Sequence, residues 1–244
     1  MKEIRAMVLA AGFGTRMQKA GEDRPKPLVE LAGQPLLNYP IALIRQAGFD
    51  EVIINLHHRG EEIREKIGNG QGLGIKIKYI LEPEILGTGG GVKNAHQLFP
   101  ARKWLTINAD TVIDLNLKNL LLFHNRMNPL ATMVLARGNE ELTPVFADNL
   151  ARVKKINGFP EKISPEMTLS ICAFTGVQVL SAKMLDYLPE GFSQMVQHGY
   201  FKALEKGDPV LAYFFEGVWL TFDDPHSISQ AQARYADQLK RRLA

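Results

Sequence analysis

Residues 6–28 read AMVLAAGFGTRMQKAGEDRPKPL, and no other stretch restricts the fold as much. The apolar run Ala6, Met7, Val8, Leu9, Ala10 enters a loop holding Gly12 and Gly14; Arg16 follows at once, and Lys26 stands between Pro25 and Pro27. A run of this kind is the mark of a buried strand, and two glycines at its end let the backbone approach a ligand closely. Successive loop N–H groups can form a nest for an anion, and Arg16 and Lys26 bring mobile positive charge. The combination describes a phosphate cradle at the end of a buried strand, although ordinary strand-to-helix turns also use glycine. The spacing is neither GxxxxGK[ST] nor GxGxxG, since Gly12-Phe13-Gly14-Thr15-Arg16-Met17 lacks the third glycine.

The rest of the chain supports an α/β domain around that strand. At 244 residues it can bury a substantial core, and 45% hydrophobic with 23% charged residues is ordinary for a globular protein. A net charge of +3 is too small to argue for nucleic acid, but it suits an anionic small substrate held by local charge. No apolar run approaches the roughly 18 residues of a membrane helix, and no signal peptide is visible. The single Cys172 excludes an internal disulfide and lies in the apolar run Ile171-Cys172-Ala173-Phe174, where a buried small hydrophobe is expected. A cytoplasmic protein is expected, without nucleic-acid or membrane partners.

Taken in order, Pro35 to Gln46 reads as a helix stopped by Gly48, Glu51 to Leu56 as a buried strand, Gly60 to Ile67 as a polar helix, and Ile75 to Leu81 as a strand with one solvated face. Four glycines at 87, 89, 90 and 91 cost backbone entropy that a plain connection has no use for. They are expected to form a loop against which a flat ligand edge can press, opening a helix over Val92 to Leu98. Trp104 to Asn108 is a further strand, with Asp110 just past its carboxyl end, where a hard oxygen suits Mg²⁺. Asp114 or Asn116 can cap a helix over Leu117 to Arg126. Strands follow at Ala131 to Ala136, Pro144 to Phe146, Ala151 to Ile156, Leu169 to Leu180 and Pro209 to Phe215. Ser181 and Ser193 each cap a short helix, and helical spacing runs from His226 almost to the end. Strands alternating with short helices predict a mostly parallel sheet with ligands beyond the strands' carboxyl ends. The pair His57-His58 is expected on the surface.

LAAGFGTRM followed by RPKPLVELAGQPLL resembles the sugar-1-phosphate nucleotidyltransferases, whose pattern is LAAGxGTRM, a spacer, then PKPL. The core Thr88 to Gly91, TGGG, is most like that of the N-acetylmuramate-1-phosphate uridylyltransferases, with Gly87 where those have Glu; Thr175-Gly176 falls in their F-[ST]-G-[IV] strand. The resemblance implies a three-layer, Rossmann-like, mixed and mostly parallel sheet with helices on both faces. It implies one domain, with residues 1–115 as nucleotide-binding half and 116–244 as sugar-binding half; a C-terminal repeat such as the left-handed β-helix of larger relatives is not expected. The implied reaction moves a nucleotidyl group from a nucleoside triphosphate, UTP favoured, to a sugar 1-phosphate such as N-acetylmuramate 1-phosphate, with Mg²⁺ as cofactor. Arg16 and Lys26 would be catalytic. Ala11, Gly12, Gly14, Thr15, Glu82, Thr88 and Gly89 would hold the nucleotide, and Asn108, Glu161, Lys162, Thr175 and Gly176 the sugar phosphate.

The metal would sit on Asp110 and on the Asp of a W-x-D-[IV]-G-T-P segment. Aligned on Trp219 and Pro225, that second position holds Thr221, with Asp223 and Asp224 following. A rearranged metal site using Thr221 or Asp223, or weakened catalysis, would follow. A guanylyl- or cytidylyltransferase, including one acting on phosphocholine, and a nucleotide-sugar-binding protein without turnover are the alternatives.

Overall fold

The computed structural model describes residues 1–137, 142–162, 164, 168–222 and 224–243. Strand β1 (Lys2–Leu9) leads through the glycine loop into a short helix, α1 (Thr15–Lys19). A 3₁₀ turn, Lys26–Leu28, precedes β2 (Glu30–Leu31) and β3 (Gln34–Pro35). Helix α2 (Asn38–Gln46), β4 (Glu51–Leu56), α3 (Gly60–Ile67) and β5 (Lys76–Leu81) follow. Next come α4 (Gly87–Leu98), β6 (Ala101–Asn108), β7 (Val112–Ile113) and α5 (Leu117–Met127). After β8 (Ala131–Ala136), β9 (Pro144–Asp148), β10 (Val153–Ile156) and β11 (Leu169–Ser181), a π-helical turn, Met195–Tyr200, runs into α6 (Phe201–Lys206). The chain closes with β12 (Val210–Phe215), β13 (Trp219–Leu220) and α7 (Pro225–Leu243).

Two compact units result, one of Met1–Arg5, Leu86–Thr106 and Asn116–Gly217, the other of Ala6–Ile85, Ile107–Leu115 and Val218–Ala244. In the second unit β1, β4 and β5 pair in parallel, Leu9 beside Asn55 and Leu56 beside Leu81. In the first unit β8 is buried throughout, antiparallel to β11 and parallel to β12, while β9 pairs antiparallel with β11 and β10. This is the mixed, mostly parallel α/β sheet with helices that the sequence predicts. No helix among the described residues is long and apolar enough to cross a membrane.

Several local expectations change. Pro35 does not open a helix. Ala32 and Gly33, at φ 51° and 78°, form a tight hairpin turn that pairs Glu30 with Pro35, so α2 starts three residues later. Ser193 caps nothing; Gln194 precedes the π-helical turn, and Ser193 is buried instead. Asn116, not Asp114, caps α5, its Oδ1 accepting from the Asn119 N–H at 3.1 Å.

The glycine run departs furthest from expectation. Residues 87–91 lie inside α4, not in a loop before it. The segment 191–193 of the first unit packs directly on them: the Gly89 and Gly90 N–H groups donate to the Ser193 carbonyl at 2.8 and 3.1 Å. A Cβ would meet Ser193 O at 2.6 Å from Gly87, Ser193 Oγ at 2.8 Å from Gly89 and Gly191 O at 2.3 Å from Gly90. Chain packing therefore accounts for the missing side chains at Gly87, Gly89 and Gly90.

Candidate active site

The second unit assembles the cationic cradle. Leu9 ends β1, and the Ala109 N–H donates to its carbonyl at 3.0 Å, so the end of β6 is fixed beside the start of the glycine loop. Ala11 is buried, while Gly12, Thr15 and Arg16 are exposed. Gly14 has φ 64°, and a Cβ there would lie 3.2 Å from Lys26 Cβ; the loop turns tightly on the lysine. Met17 anchors α1 in a core cluster with Val29, Leu31, Leu36, Tyr39, Val112 and Phe222. Lys26 Nζ forms an ion pair with Asp110 Oδ2, each side chain about one fifth exposed (19% and 22%). Loop, lysine and aspartate thus stand in one place, and Asn108 ends the strand just before Asp110.

The segment carrying Thr221 comes to the same neighbourhood through β-pairing. Strand β13 runs antiparallel to β7, Trp219 beside Ile113 and Leu220 beside Val112, and the Asp114 N–H donates to Val218 O at 2.9 Å. Continuing that register by one residue carries Thr221 to the level of Thr111, next to Asp110. Phe222, 1% exposed, pins the segment in the core cluster. Asp223 lies outside the described residues. Among those described, no group of three or more His, Cys, Asp or Glu side chains is arranged to hold a metal. The donors present, one carboxylate and a neutral hydroxyl, still match an ion that keeps its waters and takes phosphate oxygens.

A third feature of this unit ties Glu82, expected at the nucleotide, to Asn55, which no motif marks. Glu82, 3% exposed, is held by three consecutive residues at the end of β4. Asn55 Nδ2 donates to its Oε1 at 2.8 Å, its own N–H donates to Leu56 O at 2.8 Å, and its carbonyl O lies 2.8 Å from His57 Nδ1, which donates. His57 also meets the Phe13 ring edge-on, centroids 5.3 Å apart. His57 is half-buried in this arrangement, and His58 lies 3.2 Å from Gln18.

The remaining expected residues belong to the first unit. Thr88 Oγ1 donates to Gln194 Oε1 at 3.1 Å and accepts from the Met195 N–H at 2.9 Å, so its hydroxyl is engaged with chain rather than presented by a loop. Thr175 is buried and donates to Val134 O at 2.9 Å; Gly176 takes φ 81°. Glu161 and Lys162 are exposed, the Glu161 carbonyl accepting from Lys155 Nζ at 3.1 Å.

Known proteins resemble this chain along most of its length. A glucose-1-phosphate uridylyltransferase of Synechocystis is 30% identical over 89% of this chain and 59% of its own length. An N-acetylmuramate alpha-1-phosphate uridylyltransferase of Neisseria meningitidis is 38% identical over 46% of this chain and 49% of its own. A mannose-1-phosphate guanylyltransferase of Mycobacterium tuberculosis is 29% identical over 95% and 64% respectively. The chain spans about half to two thirds of these relatives. Among solved structures, HddC of Yersinia pseudotuberculosis superposes with a TM-score of 0.76 at 22% identity, covering 96% of this chain and all of that one. A putative glucose-1-phosphate thymidylyltransferase of Bacillus anthracis gives 0.79 at 16%, covering 96% of each, a likeness of fold alone. The family model described as nucleotidyl transferase matches residues 5–238, and this chain belongs to that family.

Proposed function

We propose that the chain transfers a nucleotidyl group, uridylyl by preference, from a nucleoside triphosphate to a sugar 1-phosphate of the N-acetylmuramate type, releasing pyrophosphate. The observation that carries this reading is the convergence of the Gly12–Gly14 loop, Lys26 and Asp110 within one unit. A sugar 1-phosphate already carries a nucleophilic oxygen, so the protein has to position it and neutralise charge rather than supply a base. That oxygen attacks the α-phosphorus in line; the new P–O bond forms as the bond to the bridging α–β oxygen breaks, and pyrophosphate leaves with the electron pair. Exposed Arg16 and the loop backbone hold the departing β,γ-phosphates. Lys26 exchanges its contact with Asp110 for the α-phosphate and the sugar phosphate.

Asp110, with the Thr221 oxygen and Asp223 beside it in sequence, would hold Mg²⁺, which when bound supplies charge neutralisation at the phosphates. The sugar contacts assigned to Asn108, Glu161, Lys162, Thr175 and Gly176 belong to the same proposal. The uridylyl preference leans on the partial likeness to the Neisseria relative; the Mycobacterium relative supports a guanylyl reading over more of the chain.

Pyrophosphate release is measured with UTP, GTP, CTP and ATP against N-acetylmuramate, glucose and mannose 1-phosphates and phosphocholine, with and without Mg²⁺. Release dependent on Mg²⁺, UTP and a sugar 1-phosphate is expected. Nucleotide binding without release under any pairing overturns the transfer reading.

A further inference from the structure

The segment His57-His58-Arg59 joins β4 to α3 and is seated firmly on the sheet. His57 Nδ1 donates to the Glu82 carbonyl at 2.8 Å. Gly60 is buried so closely that a Cβ there would stand 2.9 Å from Leu56 Cβ and 3.1 Å from Leu81 Cδ2. The loop from Gly12 to Pro25 has little core of its own: within it only Met17 and Pro25 are buried. Its exposed side leans on the 57–59 segment instead. The Phe13 ring meets His57 edge-on at 5.3 Å and lies 6.1 Å from the His58 ring. His58 Nε2 and Gln18 Nε2 are 3.2 Å apart, and Arg59 Nη1 donates to the Asp23 carbonyl. These contacts fall on both sides of Arg16 and reach almost to Lys26.

Arg59 has the least ordinary backbone of the three. Its φ is 53°, the left-handed region that favours glycine, at the residue that turns the chain into α3. A non-glycine residue held there against its own backbone preference points to a use for its side chain. That side chain is aimed. Glu62 Oε2 accepts from Nε at 2.7 Å and lies 2.6 Å from Nη2, which turns Nη1 to Asp23.

We propose that Arg59, oriented by Glu62, is a positioning residue that clamps the 12–25 loop in its phosphate-holding form before the nucleotide arrives. Arg59 touches no substrate in this role; it acts through Arg16 and the loop N–H groups. That these hold the β,γ-phosphates rests on the nucleotidyl-transfer reading above, whereas the clamp rests on geometry. A segment ordered in advance need not be ordered by the ligand, so the clamp acts on affinity for the phosphates more than on the chemical step.

The test compares wild type, Arg59→Gly, Arg59→Lys and Glu62→Gln. Hydrogen exchange reads the amides of residues 12–25, calorimetry reads pyrophosphate binding with MgCl₂, and initial rates give KM and kcat for UTP, with thermal melting alongside. Glycine suits φ 53°, so Arg59→Gly is expected to melt no lower than wild type. Its loop amides should exchange faster, and pyrophosphate should bind about tenfold more weakly. KM for UTP should rise by a similar factor with kcat nearly unchanged. Arg59→Lys keeps a donor for the Asp23 carbonyl and should recover part of the affinity. Glu62→Gln separates a clamp from a bare charge. It leaves the Arg59 charge uncompensated, so an arginine acting only by attraction would bind pyrophosphate more tightly, whereas a clamp that has lost its aim binds it more weakly.

Unchanged loop exchange in Arg59→Gly overturns the proposal, as does a lowered melting temperature with unchanged pyrophosphate affinity, or tighter pyrophosphate binding by Glu62→Gln. UTP and pyrophosphate bound by wild type without turnover sink the transfer reading and leave the clamp standing, since exchange and affinity are its readouts. A wild type that binds neither overturns both.

Discussion

Replacing Gly90 by Ala separates two explanations of the glycine run by the sign of its effect. In the interior of a helix, Gly to Ala ordinarily stabilises by about 1 kcal/mol. Gly90 lies within α4, and its φ is not positive. Were the run there only to admit a ligand, the ligand-free variant would gain that amount. The geometry gives the opposite sign. The new Cβ would stand 2.3 Å from the Gly191 carbonyl oxygen, and real Cβ atoms essentially never come within 3.0 Å, so helix or segment must retreat by about 0.7 Å.

Overpacking of that kind costs about 1–3 kcal/mol. The retreat also stretches the Gly89 and Gly90 hydrogen bonds to Ser193 O, each worth about 1 kcal/mol. After the propensity gain, a net loss of roughly 1–3 kcal/mol remains. At an m-value of about 2–3 kcal/mol/M the urea midpoint falls by roughly 0.5–1 M with m unchanged. Gly72→Ala is the control: nothing lies within 4 Å of its Cβ, and a change within about 0.5 kcal/mol is expected. A Gly90→Ala protein as stable as wild type, or more so, refutes the packing argument.

Two further perturbations address other parts of the molecule. His124 is buried, 2.8 Å from Thr132 Oγ1, and burial with Lys103 nearby lowers its pKa to about 4 from 6.5. A base with a lowered folded pKa loses stability as pH falls below its unfolded value. Urea titrations should therefore show a loss of up to about 3 kcal/mol between pH 6.5 and 4, a slope that His124→Leu abolishes. Thr221→Asp supplies a second carboxylate beside Asp110 along the β13–β7 pairing. It should lower the Mg²⁺ concentration giving half-maximal pyrophosphate release severalfold; an unchanged Mg²⁺ titration removes Thr221 from the site.

What was legible in the sequence was local. The strand, loop, Arg16 and Lys26 lie within one stretch of chain, and Asp110 follows a strand whose apolar pattern is plain. The Lys26–Asp110 pair spans 84 positions, yet each partner carries its own local signal, Lys26 in its flanking prolines and Asp110 in the strand that precedes it. Asn55 carries none: a single Asn at a strand end has no pattern, and its meaning appears only when Ala10 and Glu82 arrive on either side. The glycine run shows the converse. The sequence signals that something presses on a bare backbone, but not whether it is a ligand or residues 191–193, about a hundred positions away. Pro35 misleads because a helix-opening proline and an edge-strand proline look alike until Ala32 and Gly33 turn the chain.

Lys26 is the cradle's partly buried cation, paired with Asp110. Electrostatic groups placed at a reacting phosphate are worth about 3–4 kcal/mol. Lys26→Ala, compared with wild type in initial rates of pyrophosphate release from the preferred nucleotide and sugar phosphate, should therefore fall by about two to three orders of magnitude. The ion pair it breaks is partly exposed, so its urea midpoint should stay near wild type. A Lys26→Ala protein releasing pyrophosphate at a near-normal rate would contradict the assignment of this cradle to nucleotidyl transfer.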